Sequence, residues 1–289
     1  MELKNTKKGY FIMAITKFIP TIWSETLYEE LDKQYIGVAH CNRDFEGEIK
    51  NCGSVVKICG VGTVEVNDYT KDTDMSVPQA LSDTVTELVI DKAKYFNFQI
   101  DDIDLAQASP KLMNAAMKVA ASALADEADR CIFSLSSQAG MRVINSSTTS
   151  ENITDIILDA RTRLYANNVN DGTEIFLEVS PEVAALILKS KLTLSTNNTE
   201  TLEKGCLGSI AGCKVFVSRN VHAEPSGSGI KHQCFMRTKR AIAFAEQLSE
   251  IEAYRPEKRF SDAVKGLHLY GAKVVYPNEF VALDLILNT

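Results

Sequence analysis

The sequence is defined first by what is missing from it. No run of 18 or more apolar residues occurs among its 289, so no helix is expected to cross a membrane. The start carries Lys4, Lys7 and Lys8, but the apolar segment behind them, Phe11 to Ile22, is broken by Thr16 and Lys17. A secretory leader is therefore not expected, and the expected compartment is the cytoplasm of the producing cell. Positive charge is not in surplus. A formal net charge of -7 argues against a chain built to grip nucleic acid specifically. Paired cysteines are missing too: Cys41, Cys52, Cys59, Cys131, Cys206, Cys213 and Cys234 form no CxxC unit. Their odd number and irregular spacing make a poor disulfide framework, and reduced thiols serving as small apolar side chains fit better.

Catalytic signatures are equally scarce. The sequence holds no GxSxG elbow and no HExxH pair, and His40, His222, His232 and His268 sit in no recognisable motif. Gly205, Gly208 and Gly212 lack the GK[ST] ending of a phosphate loop; they predict a tight turn leading into a strand over Lys214 to Ser218. His40, Cys41, Cys52 and Cys59 do not have the short paired spacing of zinc ligands. Acidic neighbours such as Asp126 and Glu127 read as a solvated helix face. No metal, cofactor or catalytic residue is expected, and the chain is not expected to be an enzyme.

What is present is a sequence of elements. Residues 1–20 lack clean periodicity and read as an extended arm. From Ile22 to Ile36, Trp23, Thr26, Leu27, Glu30, Leu31, Gln34 and Tyr35 recur at helical spacing, with Glu25, Glu29 and Asp32 opposite. Trp23, the single tryptophan, is either a docking anchor or a plain core residue. Two β-rich stretches follow, Gly53 to Val66 and Thr84 to Ile100, on either side of a polar segment, Asn67 to Asp83, that holds Val77, Pro78 and Leu81. They predict a long hairpin. A two-stranded ribbon is marginal alone in water, so either a neighbouring chain lies on it or it folds back onto its own domain. The residues themselves do not choose.

Ser109 and Pro110 then open a glycine-free, alanine-rich helix. Its expected apolar stripe is Leu112, Met113, Ala116, Val119, Ala120, Ala123, Leu124, Ala128, Cys131 and Ile132. At ~1.5 Å per residue, Pro110 to Leu135 would span about 39 Å. Ser136 to Ser150 looks like a connection between subdomains. An α/β pattern follows: a helix over Asn152 to Tyr165, a buried strand over Glu174 to Val179, and a second helix with Ser180 as cap and Pro181 at its first position. Lys191 to Lys204 reads as a polar loop. The remaining expected strands are Cys234 to Arg237, Ala241 to Ala245, Ile251 to Tyr254, Gly266 to Tyr276 and Phe280 to Leu287. Glu250, Glu252, Arg255, Glu257, Lys258 and Arg259, with Tyr254 and Phe260, form a mixed-sign cluster, either a soluble strand edge or an intersubunit ion-pair network.

Taken in order, these segments resemble the major capsid proteins of tailed phages, the Hong Kong 97-type shell family. The resemblance is carried by Ile19 to Leu31, Leu88 to Gln107, Ala123 to Ile132, Leu202 to Val221 and Ala241 to Pro277. It implies an α+β fold with an N-terminal arm (1–24), a helix and connection (25–52), an extended β-hairpin or E-loop (53–95), and a peripheral domain containing the spine helix (96–149). An α/β axial domain (150–239) and the C-terminal strands of the peripheral domain (240–289) complete it.

Family behaviour then implies that the E-loop lies over an adjacent subunit. The expected interface residues are Trp23, Val64, Val66, Val77, Pro78, Leu81, Tyr95, Tyr254, Arg255, Glu257 and Arg259. The implied function is structural: self-assembly into pentamers and hexamers of an icosahedral phage head around double-stranded DNA. A wall that touches packaged DNA only non-specifically need not be basic. The expected partners are further copies of the chain, a separate scaffolding protein, a portal and a decoration protein, with assembly in the host bacterial cytoplasm and residence in the virion. An encapsulin-like nanocompartment shell of the same fold is the alternative.

Overall fold

A computed structural model describes residues 27–45, 53–61, 68, 71, 83–101, 111–167, 169, 172–190, 206–227, 229–258 and 261–288. Expectations that rest on the arm, Trp23, the cap at Ser109 and Pro110, the hairpin tip and the loop at 191–204 lie outside those residues.

Residues 27–34 are helical and bury Leu27 and Leu31, while Glu29 and Asp32 face solvent as their spacing required. Gln34, expected on the inner stripe, is exposed; the buried residue of that turn is Tyr35. A short 3-10 turn, Val38–His40, follows.

The β-rich stretch expected as one hairpin arm, Thr84 to Ile100, is divided. β1 (Val55–Val61) pairs antiparallel with β2 (Asp83–Val89), Val55 opposite Val89 and Val61 opposite Asp83. After Ile90 and Asp91 the chain continues as β3 (Lys92–Asp101), which pairs with a C-terminal strand in another sheet. Composition could not reveal the break, because Ile90 is as apolar as its neighbours and the dividing residue is one exposed Asp91.

The long helix α1 (Lys111–Phe133) buries Met117, Ala121, Leu124, Ala125, Ala128 and Ile132, an i, i+3/i+4 series. Val119, placed on the stripe by the sequence reading, is 71% exposed, and Ala123 is exposed as well. An alanine-rich helix is apolar nearly all round, so its pattern fixes the helix better than it fixes the inward face. The expected connection, Ser136 to Ser150, is partly regular. A 3-10 turn (Ser134–Gln138) leads into β4 (Met141–Asn145), which runs parallel to the last strand of the chain.

The α/β segment is as the sequence indicated. α2 (Ile153–Ala166) is followed by β5 (Ile175–Val179), buried on both faces, and by α3 (Pro181–Lys189). The Val183 N–H donates to Ser180 Oγ at 3.4 Å, which makes Ser180 the cap ahead of Pro181. β6 (Cys206–Ile210) and β7 (Cys213–Val217) form a hairpin joined by Ala211 and Gly212, both at positive φ (50° and 78°). That geometry is the tight turn expected of the glycine cluster.

β8 (Ala223–Ser226) and β9 (Gly229–Thr238) follow. The two short strands expected at 241–245 and 251–254 are one, β10 (Ile242–Tyr254), with an irregularity between Ser249 and Glu252. Pairing along the whole of β11 (Ser261–Val274) carries β10 through polar residues that local composition marks as a gap. β12 (Phe280–Asn288) closes the chain.

Three sheets result. The seven-stranded one has the order β4-β12-β9-β5-β7-β6, with β8 also on β9; the three-stranded one is β10-β11-β3; the ribbon is β1-β2. One continuous core joins the two larger sheets, 27–34 and α1, with Phe235, Phe280, Phe133, Phe244 and Tyr270 among its large members. Phe235 meets Phe280 edge-on at a centroid distance of 4.7 Å.

Candidate assembly surface and the buried joint beneath it

Alternation along the ribbon gives it two unlike faces. Val56, Ile58, Leu88 and Ile90 point inward and bury a separate small core against Ala243, Ala245 and Leu269. A ladder from Gly53 N–H to the Ile90 carbonyl (2.8 Å) and from Ile90 N–H to the Ser54 carbonyl (3.0 Å) extends the base. The approach is close: a methyl group on Gly271 would stand 2.3 Å from the Val89 carbonyl oxygen, so only glycine lets β2 rest on β11 there. The outer face sets Val55 opposite Val89 and Lys57 opposite Glu87, and Val85 lies one step farther along the same register. The three valines are 46%, 44% and 49% exposed (Val55, Val89, Val85), a β-branched face with Lys57 and Glu87 in cross-strand register and no cover among the described residues.

The ribbon covers only one end of the three-stranded sheet. Farther along, Tyr95, Leu267 and Tyr254 stay exposed, and Tyr95 stands directly opposite Leu267 in register. Tyr254 Oη donates to Asn97 Oδ1 at 3.2 Å, and the Lys265 ammonium sits 5.6 Å above the tyrosine ring while pairing with Glu252 at 2.7 Å. Arg255 and Glu257 follow at the exposed end of β10. Of the interface residues expected from sequence, the structure thus brings Tyr95 and Tyr254 near one end of one sheet, with Arg255 and Glu257 on the adjoining turn. Trp23, Val64, Val66, Val77, Pro78, Leu81 and Arg259 lie outside the described residues. Sequence reasoning missed Val55, Val85 and Val89 as surface residues; the alternation of β-branched with charged residues in 55–58 and 85–90 was the available signal.

Under this surface lies a polar joint that sequence reasoning did not find. Residues 35–43 pass between the two large sheets and α1. Arg237 of β9 is fully buried and donates to Glu178 of β5 (Nε to Oε2 3.0 Å, Nη2 to Oε1 2.8 Å), to the His40 carbonyl (2.6 Å) and to the Gly37 carbonyl (2.7 Å). His40 Nδ1 shares Glu178 Oε1 at 2.9 Å, and its ring stacks on Phe176 at 4.3 Å. Burial would lift the Glu178 carboxyl, but Arg237 and His40 overcome it and hold it below the usual carboxylate value.

Asp129 of α1 accepts from the Ile36 and Val38 N–H groups at 3.1 and 3.0 Å. On the other side, Asn42 is stitched to β10 by its N–H to the Ile242 carbonyl (2.8 Å) and by the Phe244 N–H to its own carbonyl (2.9 Å). Glu246 of β10 accepts from Tyr35 Oη (2.5 Å) and Arg43 Nη2 (2.6 Å) and is bonded to His268 Nε2 of β11 (2.8 Å). Burial, then Glu246, pushes the Tyr35 hydroxyl far above its ordinary value. His40, read from sequence as a weak metal-ligand candidate, is thus committed to a carboxylate.

A cleft of about 600 Å³ between the end of α1 and the β7–β8 segment is lined by Arg130, Ser134, Arg219, Asn220, Val221, His222 and Ala223. Its arginines are already paired, Arg219 with Asp126 and Arg130 with Glu127. Asp126 and Glu127, expected as a solvated face, are therefore engaged; Glu127 also binds Lys94 of β3 at 2.9 Å.

No protein-family model and no curated protein matches the chain. Solved structures do. A chain in the structure of Mycobacterium phage Che8 is 28% identical, with a TM-score of 0.67 over 86% of this chain and 91% of that one. The capsid of Ralstonia phage GP4 gives a TM-score of 0.69 at 12% identity over 89% and 90%. A virus-like particle from Pyrococcus furiosus gives 0.55 at 12% identity over 92% and 99%. The likeness runs through nearly the full length of each chain, and it is one of fold.

Proposed function

We propose that this chain, which has the Hong Kong 97-type shell fold of the tailed-phage major capsid proteins, is the shell subunit of a phage head. Copies assemble into pentamers and hexamers of an icosahedral container around double-stranded DNA, in the bacterial cytoplasm, and remain in the virion. The chain acts without catalysis. Portal, scaffolding and decoration proteins are its further partners, and contact with the packaged DNA is non-specific.

The observation that carries the reading is the ribbon. Its inner face spends Val56, Ile58, Leu88 and Ile90 on the chain's own β10 and β11, and its outer face offers Val55, Val85 and Val89 to solvent. A monomer that ended its folding there would keep an edge-bearing, β-branched ribbon open to pairing. A neighbouring copy laid over it removes the hazard and builds the lattice. On this reading the interface comprises the ribbon with Val64, Val66, Val77, Pro78 and Leu81, the sheet end with Tyr95, Tyr254, Arg255, Glu257 and Arg259, and Trp23.

Electron microscopy of the purified chain tests this directly. Closed particles of uniform diameter are expected; a compact monomer at high concentration overturns the reading. Deleting Asn67 to Ser82 leaves both ribbon strands in place and should give folded subunits that form no closed shells. Normal particles from that deletion would remove the ribbon from the interface. The likeness to the Pyrococcus furiosus particle favours one second reading, a nanocompartment shell. Particles too small for a genome and loaded with a protein cargo would select it.

A further inference from the structure

Among the described residues, three connections join the large sheet to the body built on β10, β11 and α1, and they lie along one seam. β9 passes to β10 through residues 239–241, β11 to β12 through 275–279, and α1 to β4 through the 3-10 turn Ser134–Gln138. The three are stitched side by side. The Val275 and Tyr276 N–H groups both donate to the Ala241 carbonyl (2.9 and 3.2 Å), and the Gly140 N–H donates to the Pro277 carbonyl (3.1 Å). Thr238 Oγ1 donates to Glu279 Oε2 (2.5 Å), and Arg240 pairs with the same carboxylate. Two bodies joined along one line keep one freedom, rotation about that line. Apolar burial holds them together but is non-directional. Buried hydrogen bonds weaken steeply when turned off line, so bonds made away from the seam select one angle.

Residues 27–45 make such bonds at both ends. Toward the large sheet they reach past β9 to β5 and β7. The His40 ring lies against Phe176 (4.3 Å) and Phe216 (4.1 Å), and Ile36 packs on the same pair. Arg237 holds the Gly37 and His40 carbonyls, and Glu178 holds the His40 imidazole. Toward the other body the contacts run along β10, away from the seam. Asn42 is bonded at Ile242 and Phe244, Tyr35 and Arg43 at Glu246, and the Leu248 N–H donates to Tyr28 Oη at 2.7 Å. In between, the segment is fitted to α1. Asp129 accepts from Ile36 and Val38, and a methyl group on Gly37 would stand 3.2 Å from Asp129 Oδ1 and 3.3 Å from the Phe133 ring. A segment bonded to both bodies off their common line has the geometry of a strut.

We propose that residues 27–45 are a brace that fixes the angle between the two bodies, and that in the assembled shell this angle sets the curvature and hence the diameter of the particle. The first half concerns a single folded subunit; the second rests on the shell reading above. A closed assembly repeats one subunit shape through a small set of contacts, so the rotation from copy to copy decides where it closes. The ribbon, Tyr95 and Tyr254 are all carried by the three-stranded body. The position of the large sheet relative to that surface is therefore what the brace holds, and a change in it is a change in the rotation between copies.

Two variants detach the brace at opposite ends. Arg237→Met with Glu178→Gln frees it from the large sheet without leaving half of a buried ion pair. Tyr28→Phe with Tyr35→Phe removes both hydroxyls that reach β10 and keeps the rings and the Arg43–Glu246 pair. Pulsed dipolar spectroscopy between spin labels on non-natural residues at Gly172 and Asp262, exposed positions on the two bodies, reads the angle in full-length subunits too dilute to assemble. Wild type should give one narrow distance, and each variant a broader distribution with its mean moved by about 2 Å or more. Ser180→Ala, which weakens a helix cap away from the brace, should keep the wild-type distance. Electron microscopy should then show uniform particles for wild type and Ser180→Ala, and mixed diameters for both detached variants. Unmoved, narrow distances in the detached variants overturn the brace, as does a shift shared by Ser180→Ala. Moved distances with wild-type diameters overturn its role in curvature. Wild-type protein that forms no particles overturns the shell reading and the curvature role with it, while the distances still decide the brace. Should the Arg237 variant fail to fold, the tyrosine variant decides alone.

Discussion

The seven-stranded sheet and the β1–β2 ribbon are both antiparallel-rich and β-branched, yet they are finished in different ways. The centre of the sheet is complete within one chain: β5 is buried at every position, and β9 and β12 are buried along most of their length. Its interior even absorbs the Arg237–Glu178 pair. The ribbon is complete on one face only, with Leu88 and Ile90 buried and Val85 and Val89 open. The difference separates two uses of the same residue types. Where apolar residues face both ways, a strand belongs to the fold; where they alternate with exposed ones, it belongs half to the fold and half to whatever lies beyond.

That contrast can be broken hardest in the sheet. Arg237→Ala would leave Glu178 buried beside His40 with no guanidinium, and it would free the Gly37 and His40 carbonyls from their donor. Removing one partner of a buried pair costs about 3–5 kcal/mol, and denaturant unfolding should show a loss of that size. Pairing it as Arg237→Met with Glu178→Gln should recover much of the loss, because the uncompensated charge is gone. Next in size is Leu124→Ala on α1. Leu124 is 5% exposed and packs into the main core, so truncation should cost about 2–5 kcal/mol in thermal or denaturant unfolding. A smaller effect is expected at the start of α3, where Ser180→Ala removes the acceptor for the Val183 N–H and should cost about 1 kcal/mol.

The sequence was legible where local chemistry decides. Ser180 and Pro181 announce α3, the Ala211–Gly212 turn follows from glycine placement, and the alanine-rich run gives α1. It was illegible where a distant partner decides. β4 lies inside a serine- and threonine-rich stretch and is a strand because β12 runs beside it in parallel. β10 continues through Glu246 to Ser249 because β11 pairs with it there. The inward face of α1 was misjudged at Val119 because alanine packs on either side. The joint was hidden for a related reason. Asp129, Glu178, Arg237, Glu246 and His268 are scattered over 140 positions of chain, and only the fold gathers them. A lone glutamate between apolar residues of a strand read as buried, Leu177-Glu178-Val179, was the one local hint.

The smallest effect on stability is expected on the ribbon's outer face, where the largest effect on assembly is expected too. Val55→Thr with Val85→Thr keeps β-branching on both strands and leaves the inner face, Val56, Ile58, Leu88 and Ile90, untouched. Substitutions at exposed positions shift stability by about 0.5 kcal/mol or less, so the unfolding midpoint should stay near wild type. If a second copy covers the face, each valine surrenders burial of a methyl group, about 0.8 kcal/mol apiece. Two per contact weaken each contact by about 1–2 kcal/mol, which raises the concentration needed for assembly roughly five- to thirtyfold. Light scattering against protein concentration measures that threshold. A shifted threshold with an unshifted midpoint would separate lattice from fold at two residues of one ribbon. An unshifted threshold would mean that Val55 and Val85 face solvent in the assembled state as well, and that the ribbon's unfinished face is not where the lattice is made.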